Sequence, residues 1–185
     1  MKLIQPGNTK LNNTMMFNLP ATLEVCGRLC AGCYAAREQV RFPSILVARD
    51  NRYLASQQSD FADKIIAELT KLKKKPLYFR IHASGEFYSQ TYINHWQKIA
   101  SSFPSITFYA YTKRLQDFDF TQLSSLPNFV LINSLHFGKL NYGPESAAPT
   151  NAFICPSSSS IKCGIHCSYC MTKTAQTNGV YFRKH

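Results

Sequence analysis

No run of apolar residues in this chain approaches the roughly 20 that a bilayer-spanning helix requires, so a transmembrane helix is excluded and no membrane partner is expected. The stretch Met1–Gly7 is too short and too broken by Pro6 to read as a signal peptide, so a cytoplasmic location is expected. Acidic residues are also scarce. Ten Asp and Glu stand against 21 Lys and Arg, a formal net charge of +11. That excess favours an anionic partner such as nucleic acid or a phosphate-bearing ligand. Yet no recognition helix, RNA-binding-sheet signature or long basic arm is present, and a basic surface kept for solubility explains the scattered charge equally well. With 185 residues, 45% of them hydrophobic, one compact domain with a real core is expected.

Cysteine is what the chain does have. Seven residues fall in two tight groups, Cys26, Cys30 and Cys33 in one, Cys155, Cys163, Cys167 and Cys170 in the other. An odd count in tight clusters speaks for metal ligands rather than disulfides in a cytoplasmic setting. Thiolates are soft ligands, and three on one short loop can meet a single zinc ion or iron–sulfur cluster without long-range folding. A [4Fe–4S] cluster usually takes four cysteines, so three leave one iron free for a substrate or cosubstrate. The partition into three and four therefore suggests one open centre and one closed one. Zinc at the four-cysteine set fits the same residues, since such sites contribute on the order of 10 kcal/mol to folding. Cys155 could instead complete the first centre and leave the C-terminal three open. Metallation of both sets would lower the net charge to roughly +8 by ligand counting.

Along the chain, Met15–Pro20 reads as a strand leading into the cysteine loop, and Ala35–Val40 as a helix ending before Pro43. Phe61, Ile65, Ile66, Leu69 and Leu72 have helical spacing from a cap at Ser59 or Asp60 to Lys75. The lysines at 71 and 73–75 then complement the helix dipole. Leu77–Ala83 alternates as a strand, with Phe79 and Ile81 on an apolar face and Tyr78, Arg80, His82 and Ser84 on a polar one that should look into a pocket. A Ser89-capped helix with Ile93, Trp96, Ile99 and Ala100 on its buried stripe follows, then strands at Ile106–Tyr111 and Phe129–Leu135 around a short helical return. Residues 138–150 and 157–160 read as loops, and Asn151–Cys155 as a last short strand. This alternation predicts an α/β fold: a partial (βα) barrel or an open, mostly parallel sheet, with a small C-terminal cysteine-rich module. The expected division is an α/β domain over 1–150 and the module over 151–185. Ligands bind at the C-terminal ends of the strands in such folds, where Cys26, Ser84, Gly85, Glu86, Thr112, Lys113, Arg114, Ser134 and His136 would gather.

The Cys-x3-Cys-x2-Cys spacing of Cys26, Cys30 and Cys33 resembles the signature of the radical S-adenosylmethionine (SAM) enzymes. Ser84-Gly85-Glu86 resembles the Gly-Gly-Glu motif with which that superfamily grips the SAM amino group, and Thr112 falls where it often has a Thr- or Ser-rich strand edge. Two places depart from the pattern. Gly32 stands where an aromatic residue usually packs on the adenine, with Tyr34 following instead, and Cys163-Gly164-Ile165-His166-Cys167-Ser168-Tyr169-Cys170 repeats the spacing with an aromatic in that place. A closer resemblance covers nearly the whole chain. Asn8-Thr9-Lys10-Leu11, Cys30-Ala31-Gly32-Cys33-Tyr34-Ala35, the block from Arg80 to Tyr88, Tyr109-Ala110-Tyr111-Thr112 and the closing cysteines look like the phage gene product eighty-eight family. That likeness implies a phage or prophage origin, in a host cytoplasm, and a radical-SAM-like layout.

The resemblances assign roles as expectations. Cys26, Cys30 and Cys33 would hold an open [4Fe–4S] cluster, and Cys155, Cys163, Cys167 and Cys170 a second cluster or zinc. Glu86, His82 and Arg80 are the expected catalytic residues, with Ser84, Gly85, Glu86, Thr112 and Tyr34 around SAM. The alternative is a non-catalytic iron–sulfur or zinc protein that binds nucleic acid or a host protein.

Overall fold

The structure is a computed structural model that describes residues 2–27, 30, 32–136, 139, 140, 142, 143, 151–156 and 161–183. The serine loop 157–160, the side chain of His136, the ends of the tail and most of the expected loop 138–150 lie outside the described residues.

An apolar ladder organises the fold. Strands β1 (Gln5–Pro6), β2 (Thr14–Phe17), β3 (Tyr78–Ile81), β4 (Thr107–Thr112) and β5 (Phe129–Asn133) form a five-stranded sheet in the order β1-β2-β3-β4-β5. β1 is antiparallel to β2, and the other pairs are parallel, aligning Met15, Phe79, Phe108 and Phe129 across the sheet. The fold is therefore α/β with an open, mostly parallel sheet. Parallel neighbours that follow one another in sequence need crossovers, and right-handed crossovers running in one direction put every connecting helix on one face. Those helices are α1 (Leu23–Cys26), α2 (Tyr34–Arg41), α3 (Pro43–Ser56), α4 (Phe61–Lys71), α5 (Gln90–Ser102) and α6 (Thr121–Ser125).

The main core fills that face. Phe17, Phe79, Ile81, Phe108 and Leu131 from the sheet meet Phe61, Ile65 and Leu69 of α4 and Tyr92, Trp96 and Ile99 of α5. α5 starts where Ser89 Oγ accepts from Tyr92 N at 3.2 Å, and it stops at Phe103, ahead of Pro104. Asn128 then closes the corner, its side-chain amide donating to the carbonyls of Ala100, Phe103 and Ile106 at 3.0, 3.0 and 3.1 Å. α4 ends at Lys71 rather than Lys75, with Leu72 extended, so only the first of the four lysines lies in the helix.

The helix α3 and the strand β1 are among the elements with no counterpart in the sequence reading. Pro43 does stop α2, but it also opens α3 at the position where a missing N–H costs nothing. The two-residue strand β1 adds an antiparallel edge.

The opposite sheet face is covered by the end of the chain. β9 (Phe153–Ile154), a 3-10 turn at Tyr169–Met171, α7 (Lys173–Asn178) and β10 (Val180–Arg183) bury Met171, Ala175 and Val180 against Tyr109, Val130 and Ile132. β10 lies between β9 and β8 (Tyr142–Gly143), parallel to both, and β6 (Leu135–His136) pairs with β7 (Lys139–Leu140). Among the described residues no helix is long and apolar enough to cross a membrane.

Candidate functional site

The cysteine loop leaves the C-terminal end of β2 and is tied down at its two ends by a pair of buried side chains. Gln39 Oε1 accepts from Ala21 N at 2.6 Å, ahead of the loop. Arg49, 7% exposed, donates to Gln39 Oε1 at 3.2 Å and to the carbonyl of Ala35, beyond the loop, at 3.3 Å. Glu38 neutralises it at 2.5 Å. Between these anchors, Cys26 ends α1, Gly27 caps it in the left-handed region at φ +67°, and Cys33 N donates to Cys30 O at 3.1 Å. A side chain on Gly27 would strike the Arg114 guanidinium, so the end of β4 packs directly on this loop.

Glu86 lies within electrostatic reach of Cys26. Its carboxylate is 5% exposed and accepts from Thr112 Oγ1 at 2.7 Å and from Lys113 N at 2.9 Å. Thr112, fully buried, in turn accepts from Arg114 N at 3.0 Å. Burial pushes the Glu86 carboxyl up to about 7, against the pull of those bonds and of the Lys113 and Arg114 charges. Burial likewise pushes the Cys26 thiol up to about 11, aided by the Glu86 charge and by Cys33 and Cys30, with Lys113 opposing. The three cysteines and Glu86 therefore share one electrostatic neighbourhood at the C-terminal ends of β2, β3 and β4.

Ser84 and Gly85 build the turn that presents Glu86. Leu19 N donates to Ser84 O at 3.0 Å, Ser84 Oγ donates back to Leu19 O at 2.9 Å, and Asn18 Oδ1 accepts from Ala83 N and Ser84 N at 2.8 and 3.2 Å. Gly85 has φ +90°, and a Cβ there would lie 2.5 Å from that of Leu19. Tyr34, at the start of α2, donates its hydroxyl to Ala83 O and is 59% exposed, so its ring stands at the rim of this site.

His82 does not share a face with Arg80. The strand ends at Ile81, and His82 turns at φ +63°, a left-handed conformation uncommon for a residue with a side chain. Its ring enters the helix-side core instead, edge-on to Phe87 at 4.8 Å, with Nε2 2.8 Å from the Tyr92 hydroxyl. Burial, with Arg80 adding, pushes its pKa down to about 3 and keeps the imidazole neutral.

Arg80 faces the other way, toward the end of the chain. Its guanidinium lies 5.6 Å from the Tyr111 ring centroid, and its Nε is buried without a hydrogen-bond partner. Burial alone would depress it, but Tyr109, Tyr34, Tyr111 and Cys170 around it outweigh that effect, and it stays charged. Cys163 is joined to the N-terminal hairpin through its N–H to Lys10 O at 2.8 Å and its carbonyl from Asn12 N at 3.1 Å. Gly164 N donates to Cys167 O at 2.8 Å, closing a tight turn, while Phe153 and Tyr169 stack at 4.0 Å beside Cys155 and Cys170. His166 is exposed and accepts from Lys162 N through Nδ1 at 3.1 Å.

All seven cysteines are free and partly buried. Each set is gathered but not converged: among the described residues, no three His, Cys, Asp or Glu side chains stand together as a metal-binding group. The soft donor set and the free thiols fit zinc or an iron–sulfur cluster, and the left-handed glycines at 27 and 32 permit turns that a side chain would strain. Arg49 and Gln39 escaped the sequence reading, and Tyr109 entered it only as part of a family motif, with no role. The first two form an i, i+10 pair with no motif, and Tyr109 becomes notable only through its register with Arg80.

No solved structure matches this fold. Two curated relatives, each a Gene 88 protein, come from Mycobacterium phage L5 and Mycobacterium phage D29. Each is 32% identical over 107 residues, covering 52% of this chain, and the match spans 43% of the relative's own length. A family model described as Gene product 88 matches residues 1–142, a stretch that takes in the hairpin, the cysteine loop and every strand-end residue around Glu86. The chain belongs to the Gene product 88 family of phage proteins.

Proposed function

We propose that Cys26, Cys30 and Cys33 hold an iron–sulfur cluster with one iron free of protein ligands, and that the chain works as a minimal radical-SAM-like enzyme. In this reading the open α/β sheet of the 1–150 domain carries the site, and the 151–185 division is a cysteine module that serves it. The observation that carries the proposal is Glu86: a buried carboxyl, poised near neutrality, within electrostatic reach of Cys26, which in turn feels Cys33 and Cys30. A buried carboxylate is costly unless a cation meets it. An ammonium group entering the site would shift Glu86 to its charged form and be held by it.

When bound, such a cluster supplies the electron that cleaves the sulfonium bond of SAM, yielding a radical able to abstract hydrogen. The chain's residues prepare the site for that cosubstrate. Thr112 Oγ1 and Lys113 N fix the carboxylate that would take the SAM amine. Tyr34 offers an aromatic ring at the rim. His82, neutral and bonded to Tyr92, holds the strand end from behind. Arg49 and Gln39 set the entry and exit of the cysteine loop.

Anaerobic protein, reduced in the presence of SAM, should release 5′-deoxyadenosine, and Cys30→Ala should abolish the release. Absence of this product, together with salt-dependent nucleic-acid binding that needs no SAM, would replace the enzyme by a charged binding protein.

A further inference from the structure

We infer that the four C-terminal cysteines form a second, closed metal centre with a net charge of about −2, and that Arg80, Tyr109 and Tyr111 are the donors that compensate it. The sheet beneath the cysteines carries two unpartnered donors. Arg80 and Tyr109 are register partners on β3 and β4, side by side on the face that the chain's end covers. Each carries a buried donor with no partner, Nε of Arg80 and the hydroxyl of Tyr109, and Tyr109 is 1% exposed. Unsatisfied donors at such depth are rare because each forfeits its bonds to water. Two such donors at paired register positions on one sheet face imply an acceptor.

The groups they face are thiols. Tyr109 shares its cluster with Cys155, Cys163 and Cys170, and Arg80, Cys170 and Cys163 all act on its hydroxyl electrostatically. Tyr111, two residues along the same strand, already hydrogen-bonds Cys170. As neutral thiols these sulfurs accept weakly. As thiolates on a metal they accept well, and outer donors of this kind orient ligands and offset their charge. Four thiolates on zinc, or on an oxidised [4Fe–4S] cluster, leave the same net charge of about −2, so one buried guanidinium and two phenols suit either. Metallation exchanges the four thiol protons, released to solvent, for the ion or cluster. It also cross-links β9, the Lys10–Asn12 hairpin contact and the 3-10 turn, which otherwise meet the sheet through a small apolar cluster.

The test is separable from the N-terminal site. A variant with Cys26, Cys30 and Cys33 replaced by Ser should still retain one centre per chain, with zinc and iron analysis deciding its identity. Cobalt loaded into it should show the charge-transfer and ligand-field absorption of a tetrahedral four-thiolate ion if zinc is the native metal. Tyr109→Phe and Arg80→Met should each weaken metal affinity, read by chelator competition, by about 10- to 100-fold. The remote Tyr53→Phe should leave it unchanged. In metal-free protein the sign reverses: Tyr109→Phe removes an unpartnered hydroxyl and should raise Tm. Should the triple variant fail to fold, Cys167→Ser in the full chain must lose the metal of the C-terminal centre, whatever the N-terminal loop holds. Unchanged affinity in Tyr109→Phe, or a C-terminal set that retains no metal, overturns the inference.

Discussion

Replacing Glu86 by Gln gives the sharpest test of the site's electrostatics, because it removes one titration and keeps the shape. The Glu86 carboxyl rises from an ordinary 4.5 to about 7, chiefly through burial, which corresponds to about 3 kcal/mol between its two protonation states. Between those values the native state binds the proton and the unfolded state does not. The associated stability is therefore fully present below about pH 4.5 and lost as pH rises through about 7. In the Glu86→Gln variant the amide oxygen would still accept from Thr112 Oγ1 and Lys113 N, and the neutral side chain carries no such pH dependence. The unfolding free energy of Glu86→Gln minus that of the wild type should thus climb by about 3 kcal/mol between about pH 4 and about pH 8. The assay is urea denaturation of metal-free protein, followed by the fluorescence of the one tryptophan, Trp96, which is fully buried. A difference that stays flat across that range would refute the placement of Glu86 in a desolvated pocket.

Gly85→Ala must enter the left-handed region, at about 1–2 kcal/mol, and collide with Leu19; with overpacking of about 1–3 kcal/mol the total loss in urea unfolding should be about 2–5 kcal/mol. Asn128→Ala removes the side-chain donor shared by the carbonyls of Ala100, Phe103 and Ile106, the first two of which keep a backbone donor, and should cost about 1–3 kcal/mol by the same measurement, with Asn128→Asp no better, since a carboxylate would face those oxygens. Gly27→Ala should displace the Arg114 guanidinium, so in a double-mutant cycle with Arg114→Ala the combined loss should fall short of the sum by about 0.5–3 kcal/mol. Strict additivity would mean that the end of β4 does not rest on the cysteine loop.

Much of the fold could be read from side-chain periodicity. Phe79 and Ile81 alternate with Tyr78 and Arg80 as a sheet with two covered faces requires, and Phe61, Ile65 and Leu69 recur as a buried helix stripe does. α3 escaped because its anchor is polar. Arg49 and Ser56 are its buried residues, while Val47 and Leu54 stand 59% and 58% exposed, so no apolar stripe marks it. His82 was legible as a site residue by neighbourhood but not by direction, since alternation assumes an extended backbone and φ +63° breaks it. Glu86 and Thr112 were legible as strand-end polar residues, and their contact is real. The pairing of Arg80 with Tyr109 depends on register between strands 29 positions apart, which no local pattern encodes.

An open iron–sulfur centre at Cys26, Cys30 and Cys33 is the proposal on which the enzyme reading depends. It is tested most directly by anaerobic reconstitution of a variant whose four C-terminal cysteines are replaced by serine, with iron and acid-labile sulfide counted and the reduced protein's paramagnetic spectrum recorded with and without SAM. About four iron and four sulfide per chain are expected, with a spectrum that changes when SAM is added. Zinc alone in the three-cysteine loop, or a cluster whose spectrum ignores SAM, would contradict it.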